Sequence, residues 1–169
     1  WGGQGARIVL ILPFGKLAPE MTQFVWSKPA GAGSYKLEIL DDSGKVLHSA
    51  TAPDTAATVD LSKINLEQGR VYSWKITVPG NAQLVSAARE FALYAPEAQA
   101  EATKRATGSS TYRDGSPVLR GLMEAIALEK GEWYNAAGQK YEGLFRQYPK
   151  DNMLRMMYAA FWMRYGLEP

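Results

Sequence analysis

Two stretches of this sequence alternate apolar and polar residues with a period of two, and no other feature constrains the fold as much. In 71–78, Tyr72, Trp74, Ile76 and Val78 fall on one face and Ser73, Lys75 and Thr77 on the other. In 35–40, Tyr35, Leu37 and Ile39 oppose Lys36 and Glu38. Side chains of a strand point alternately to its two faces, so this pattern predicts half-buried strands whose apolar side needs a covering layer.

Other β-branched or aromatic runs predict further strands at 7–12, 22–26, 45–50, 58–61 and 83–94. Asp41-Asp42-Ser43-Gly44 reads as a hairpin turn, with Gly44 supplying the positive φ that closes it. Pro13, Pro29 and Pro79-Gly80-Asn81 separate the other runs. Seven short strands with turn signals every eight to twelve residues predict an antiparallel β-sandwich over residues 1–95.

At Pro96 the pattern changes. Pro96-Glu97-Ala98 opens a helix, with Pro suited to the first turn and an acid favoured there by the helix dipole. Residues 96–116 are expected to be a helix and linker, with a loop bracketed by Gly108-Ser109-Ser110 and Asp114-Gly115-Ser116. Helical segments follow near 117–130, 134–148 and 151–165, broken at Gly131 and at Pro149-Lys150-Asp151. The expected fold class is α+β in two parts: a sandwich, then a helical domain over 117–169. A piece of about 60 residues is marginal alone, so the helical part is the smaller partner in stability.

Two spacings carry a resemblance. Trp26 lies on one predicted strand, Tyr35 begins another, and Leu66-Glu67-Gln68-Gly69-Arg70-Val71-Tyr72 precedes the strand at 71–78. The interval Leu66-x-x-Gly69-x-x-Tyr72 resembles the tyrosine corner of fibronectin type III and Ig-like sandwiches, although Gln68 stands where that family often has Pro. The resemblance implies that the Tyr72 hydroxyl reaches back to upstream backbone. Next, Gly131-x-Trp133-Tyr134-x-x-Ala137-x-x-x-Tyr141-x-x-Leu144-x-x-x-x-Pro149 resembles a degenerate tetratricopeptide repeat, slipped by one residue near its start. There Ala137 would let helices approach, Tyr141 and Leu144 would fill the groove, and Pro149 would end the helix. The combined order looks like the extracytoplasmic part of bacterial membrane-tethered, anti-sigma-like proteins. That resemblance implies a periplasmic or cell-surface setting and a tether through a segment outside this chain.

Several chemistries find little support. Lys plus Arg number 19 against 17 acids, spread evenly along the chain, so no basic patch points to nucleic acid. The chain has no Cys and a single His, which removes thiolate chemistry and most metal-ligand sets; no cofactor is implied. His48 lies on a strand with no nucleophile elbow nearby, although a hydrolase using it is a hypothesis in its own right. The Asp41–Gly44 turn lacks the spaced acids of a calcium loop. Gly2-Gly3-Gln4-Gly5 precedes a strand, where a phosphate cradle would need a helix. Glu124, Glu129 and Glu132 are spaced by five and three residues, which does not keep all three on one helix face, and each is expected to be solvated. The apolar run Ile8–Phe14 is far shorter than the roughly 20 residues of a membrane span, and a chain opening on Trp1 is expected to be a fragment or a processed form.

The segment Met153–Tyr165 is the most informative for function. Its only charges, Arg155 and Arg164, are nine residues apart. At about 100° per residue that puts them on opposite sides of a helix, so no broad polar face remains. Either the neighbouring elements enclose this helix, or one side, with Met156, Phe161, Trp162 and Tyr165, docks a partner protein. The expected function is a non-catalytic interaction or scaffolding module, an extracytoplasmic accessory subunit of a membrane-associated assembly. The alternative is a carbohydrate- or cell-wall-binding sandwich that presents Trp1, Tyr94 and Tyr112 to sugar faces.

Overall fold

The computed structural model describes residues 7–165 and divides into two compact units, with the boundary along the chain between Tyr94 and Ala95. The first is a two-sheet sandwich. One sheet has the order β1 (Leu10–Leu12), β3 (Met21–Trp26), β6 (Ala56–Asp60). The other has the order β2 (Gly15–Leu17), β9 (Arg89–Leu93), β7 (Val71–Val78), β4 (Tyr35–Leu40), β5 (Val46–Ala52), with β8 (Asn81–Val85) also on β7.

The alternating runs do what their pattern requires. Tyr35, Leu37 and Ile39 on β4 are buried, as are Tyr72, Trp74, Ile76 and Val78 on β7. They meet Phe24 and Trp26 of the facing sheet, with Phe24 edge-on to Trp74 at 5.1 Å and Trp26 edge-on to Tyr35 at 5.5 Å. Edge-to-face contact sets the positive ring edge against the negative ring face. On the opposite side of β4 and β7, Glu38 pairs with Lys36 at 2.7 Å and with Lys75 across the strands at 3.4 Å. The whole residue is only 9% exposed. Glu38 is therefore covered in spite of its outward register. Its hydrogen bond to Lys36 holds its carboxyl below the ordinary value, against the opposing effect of desolvation.

Three departures from the sequence reading concern the sandwich. The run 7–12 pairs as a ladder only over Leu10–Leu12. After Pro13 the chain crosses to the other sheet, where β2 runs parallel to β9. Three residues with little alternation gave no sign of that extra strand. The return strand read at 83–94 is two strands, β8 and β9, because the chain bulges near Ser86. The Ser86 hydroxyl accepts the Ile76 N–H at 2.9 Å, and its own N–H reaches the Ile76 carbonyl at 2.9 Å, so a buried serine spans the irregularity. Finally, Leu61–Lys63 form a 3-10 turn capped by the Asp60 carboxylate, which accepts the Ser62 N–H. The strand predicted at 58–61 is shifted two residues upstream, to Ala56–Asp60.

The second unit holds α1 (Pro96–Thr107), α2 (Ser110–Asp114), α3 (Pro117–Lys130), α4 (Tyr134–Gln147) and α5 (Asn152–Arg164). Ser109 caps α2, so the expected loop contains a short helix. Ser116 accepts the Leu119 N–H at the start of α3, and Asp151 accepts the Met153 and Leu154 N–H groups at the start of α5. Leu122, Ala125, Leu128, Trp133, Ala137, Tyr141, Leu144, Leu154 and Phe161 form the core. At Gly121 an added Cβ would lie 2.5 Å from a Leu144 methyl. This glycine lets α3 approach α4.

Candidate functional site

Helix α5 presents two unlike apolar surfaces. On its inner side Leu154 and Phe161 are buried, with Phe161 5.3 Å from the Tyr141 ring, 5.1 Å from Trp162 and 5.2 Å from Tyr165. On its outer side Met153, Met156 and Met163 are 53%, 71% and 69% exposed. The neighbours therefore cover only one side of a helix that is apolar all round. Residues 100° apart in succession cannot all face a single neighbour, and among the described helices α5 packs chiefly on α4.

This geometry corrects the surface proposed from sequence. Met156 is outward, but Phe161 is sealed in the core at 0% exposure and cannot meet a partner. Trp162 and Tyr165 are half-buried against Phe161, Tyr158 and Tyr134. Met156 and Phe161 are five residues apart, about 140° around the helix, so they never shared a face. Met153 and Met163 are the outward residues that the sequence reading missed, and their three- and seven-residue spacing from Met156 would have found them.

The carboxylates of α3 are not on a solvated face. Glu129 accepts the Tyr141 hydroxyl at 3.0 Å, the Tyr165 hydroxyl at 3.1 Å, and the Arg164 Nε and Nη2 groups at 2.8 and 3.0 Å. Four donors thus tie one carboxylate of α3 to α4 and to the end of α5. Burial, then the nearby Glu129 charge, pushes both tyrosines well above the ordinary phenol range. A carboxylate whose lone pairs are already engaged holds helices together and is poorly placed to take a proton from a substrate. Beside it lies a cleft of about 370 Å³ lined by Ile126, Lys130, Met157 and members of this network. Glu124, one and a half turns earlier, accepts the Tyr112 hydroxyl and pairs with Lys140, on the wall of a second cleft of about 460 Å³.

The remaining candidates lie apart from α5. Tyr72 is buried at the sandwich corner, and its hydroxyl accepts the Glu67 N–H at 2.7 Å. Gly69 has φ of 76°, which places its N–H 2.7 Å from the Leu93 carbonyl, and Leu66 packs on the core. Trp26 and Tyr35 are central core residues. His48 lies on β5 opposite Ile39. Tyr94 carries the Lys16 ammonium 5.4 Å over its ring, and the Tyr112 hydroxyl is held by Glu124. Trp1 and Gly2–Gly5 lie outside the described residues. Among those described, no cluster of three or more His, Asp or Glu could hold a metal ion, and no helix is long and apolar enough to cross a membrane.

No protein-family model matches this chain, and no curated protein matches it. Solved structures are similar to part of this chain. The fibronectin type III domain of human collagen α-1(XX) is 20% identical over 56% of this chain and 93% of its own, with a TM-score of 0.36. A fibronectin type III-like protein from Clostridium thermocellum is 17% identical over 54% and 88%, with a TM-score of 0.32. An engineered protein is 15% identical over 55% of this chain, with a TM-score of 0.43, and the match spans only 21% of that protein. These likenesses concern fold alone. The chain is an α+β protein, an N-terminal two-sheet sandwich followed by a C-terminal bundle of helices.

Proposed function

We propose that this chain is a non-catalytic protein-interaction module, an accessory subunit of a membrane-associated assembly outside the cytoplasm. In this reading its helices are a degenerate tetratricopeptide-like hairpin. The observation that carries it is the outer side of α5, where Met153, Met156 and Met163 are more than half exposed while the inner side of the same helix is sealed. Methionine is flexible and polarizable, and it suits surfaces that must fit a partner. The extracytoplasmic setting draws its support from the order of sandwich and helices that the sequence resembles.

The test is site-specific photo-crosslinking in the native cell, with the crosslinker at Met156 or Met163 and a control at exposed Glu67 on the sandwich. The expected result is a discrete protein adduct, recovered with membranes, from the α5 positions and not from the control. Absence of any adduct from both methionine positions would overturn the interaction role. Recovery of the protein in the cytoplasmic fraction would overturn its location.

A further inference from the structure

Sulfur is concentrated on α5. Four of the chain's six methionines, Met153, Met156, Met157 and Met163, lie in this helix, and the chain has no cysteine. A peroxide reaching this protein therefore finds only thioethers to oxidise at sulfur. They are unequally offered. Met156, Met163 and Met153 are 71%, 69% and 53% exposed, whereas Met157 and Met123 are half-buried.

Helix geometry explains the inequality. At about 100° per residue, Met153, Met156 and Met163 fall within about 80° of one another. Leu154 and Phe161 lie on another side and are buried in the unit. Met157 is turned about 40° from Met153 toward Phe161, and it lines the cleft with Tyr141, Arg164 and Tyr165. A sulfoxide there would set a new polar group beside the Glu129 network that ties α3 to α4 and α5. At the other three positions the added oxygen meets water, and a change on an exposed side chain leaves the core as it was.

We propose that the outer side of α5 is a methionine-oxidation site, where a peroxide converts Met153, Met156 and Met163 to sulfoxides while the helical unit stays folded. The thioether sulfur attacks one oxygen of hydrogen peroxide; an S–O bond forms and the O–O bond breaks. Sulfur gives up two electrons, and the departing hydroxide takes the proton left on the transferred oxygen, so one water is released. A thiol-dependent sulfoxide reductase would reverse the step, leaving a disulfide on the reductant and a second water. Each sulfoxide replaces a soft apolar sulfur with a strong hydrogen-bond acceptor. Pressing such acceptors against an apolar partner surface leaves them without donors, which is costly. Oxidation therefore weakens docking on this face; that consequence rests on the interaction role proposed above, whereas the oxidation itself does not.

The full chain is treated with hydrogen peroxide and sampled over time for peptide mass mapping, with circular dichroism on the same samples. Met156 and Met163 should gain one oxygen first, together with Met21, which is 63% exposed on the sandwich. Met157 and Met123 should follow several-fold more slowly, and the unfolding midpoint should hold once Met153, Met156 and Met163 are filled. Oxidation of Met157 or Met123 as fast as Met156, or unfolding of the chain once the three outer sites are oxidised, would overturn the proposal. For the binding consequence, the crosslinker at Met163 is used in cells exposed to peroxide. The adduct should fall several-fold there, and Met153→Leu with Met156→Leu should preserve it, because leucine keeps the face apolar and carries no sulfur. An adduct undiminished when Met153 and Met156 are fully oxidised would overturn that consequence. If untreated cells give no adduct, the interaction role falls, and mass mapping alone decides the oxidation site.

Discussion

Removing one hydroxyl from each of two buried tyrosines should shift stability in opposite directions. Tyr35 and Tyr72 are both in the sandwich core, 1% and 2% exposed. The Tyr72 hydroxyl accepts the Glu67 N–H at 2.7 Å, whereas the Tyr35 hydroxyl finds no hydrogen-bond partner among the described residues. Tyr72→Phe removes an intramolecular hydrogen bond, which costs about 0.5–1.5 kcal/mol net. In Tyr35→Phe the change instead removes a buried polar group whose desolvation costs about 1–3 kcal/mol when no bond compensates it. That substitution should be neutral or stabilising by up to roughly 2 kcal/mol. The assay is urea unfolding of the full chain, with hydrogen exchange of the β4 and β7 amides to confirm that the sandwich is the unit being read. A loss in Tyr35→Phe equal to or greater than that in Tyr72→Phe would refute the reasoning. It would mean that the Tyr35 phenol is hydrogen-bonded in the folded protein.

Other substitutions probe the helices and the outer face of the sheet. Gly121→Ala places a methyl within 2.5 Å of a Leu144 methyl, so it should destabilise the helical unit by about 1–3 kcal/mol through overpacking; thermal unfolding followed by circular dichroism would show it, and an unchanged midpoint would contradict the close approach. Phe161→Ala should cost about 3–5 kcal/mol by leaving a cavity, while Met156→Ala should stay within about 0.5 kcal/mol, a contrast that urea titrations can measure. Because the folded Glu38 carboxyl lies below its ordinary value of 4.5, its contribution is present above that pH and is lost as pH falls through the folded value. Glu38→Gln should therefore flatten the acid side of the stability profile of the sandwich, and an unaltered profile would count against the Lys36–Glu38–Lys75 arrangement.

Much of the fold could be read from local pattern. The alternation of β4 and β7 and the caps around α3 and α5 are short-range signals, and the chain forms those elements close to where they were expected. The parallel strand β2 could not be read. Its three residues become a strand only because β9, more than seventy residues later, offers a free edge. The bulge at Ser86 is likewise set by the register of β7.

The candidate face shows the same division. That α5 is apolar on every side is already written in its residues, because Arg155 and Arg164 are its only charges. The spacing of Met153, Met156 and Met163 is likewise a property of the chain, although only the structure shows that it faces outward. Which side is covered was decided by tertiary structure. Helix α4 brings Tyr141 and Gly138 against Phe161, and Glu129 of α3 clamps Arg164 and Tyr165. That rotation seals one stripe and leaves Met153, Met156 and Met163 outward. Burial depends on which neighbours pack against a helix, and those neighbours lie outside the local sequence that forms it.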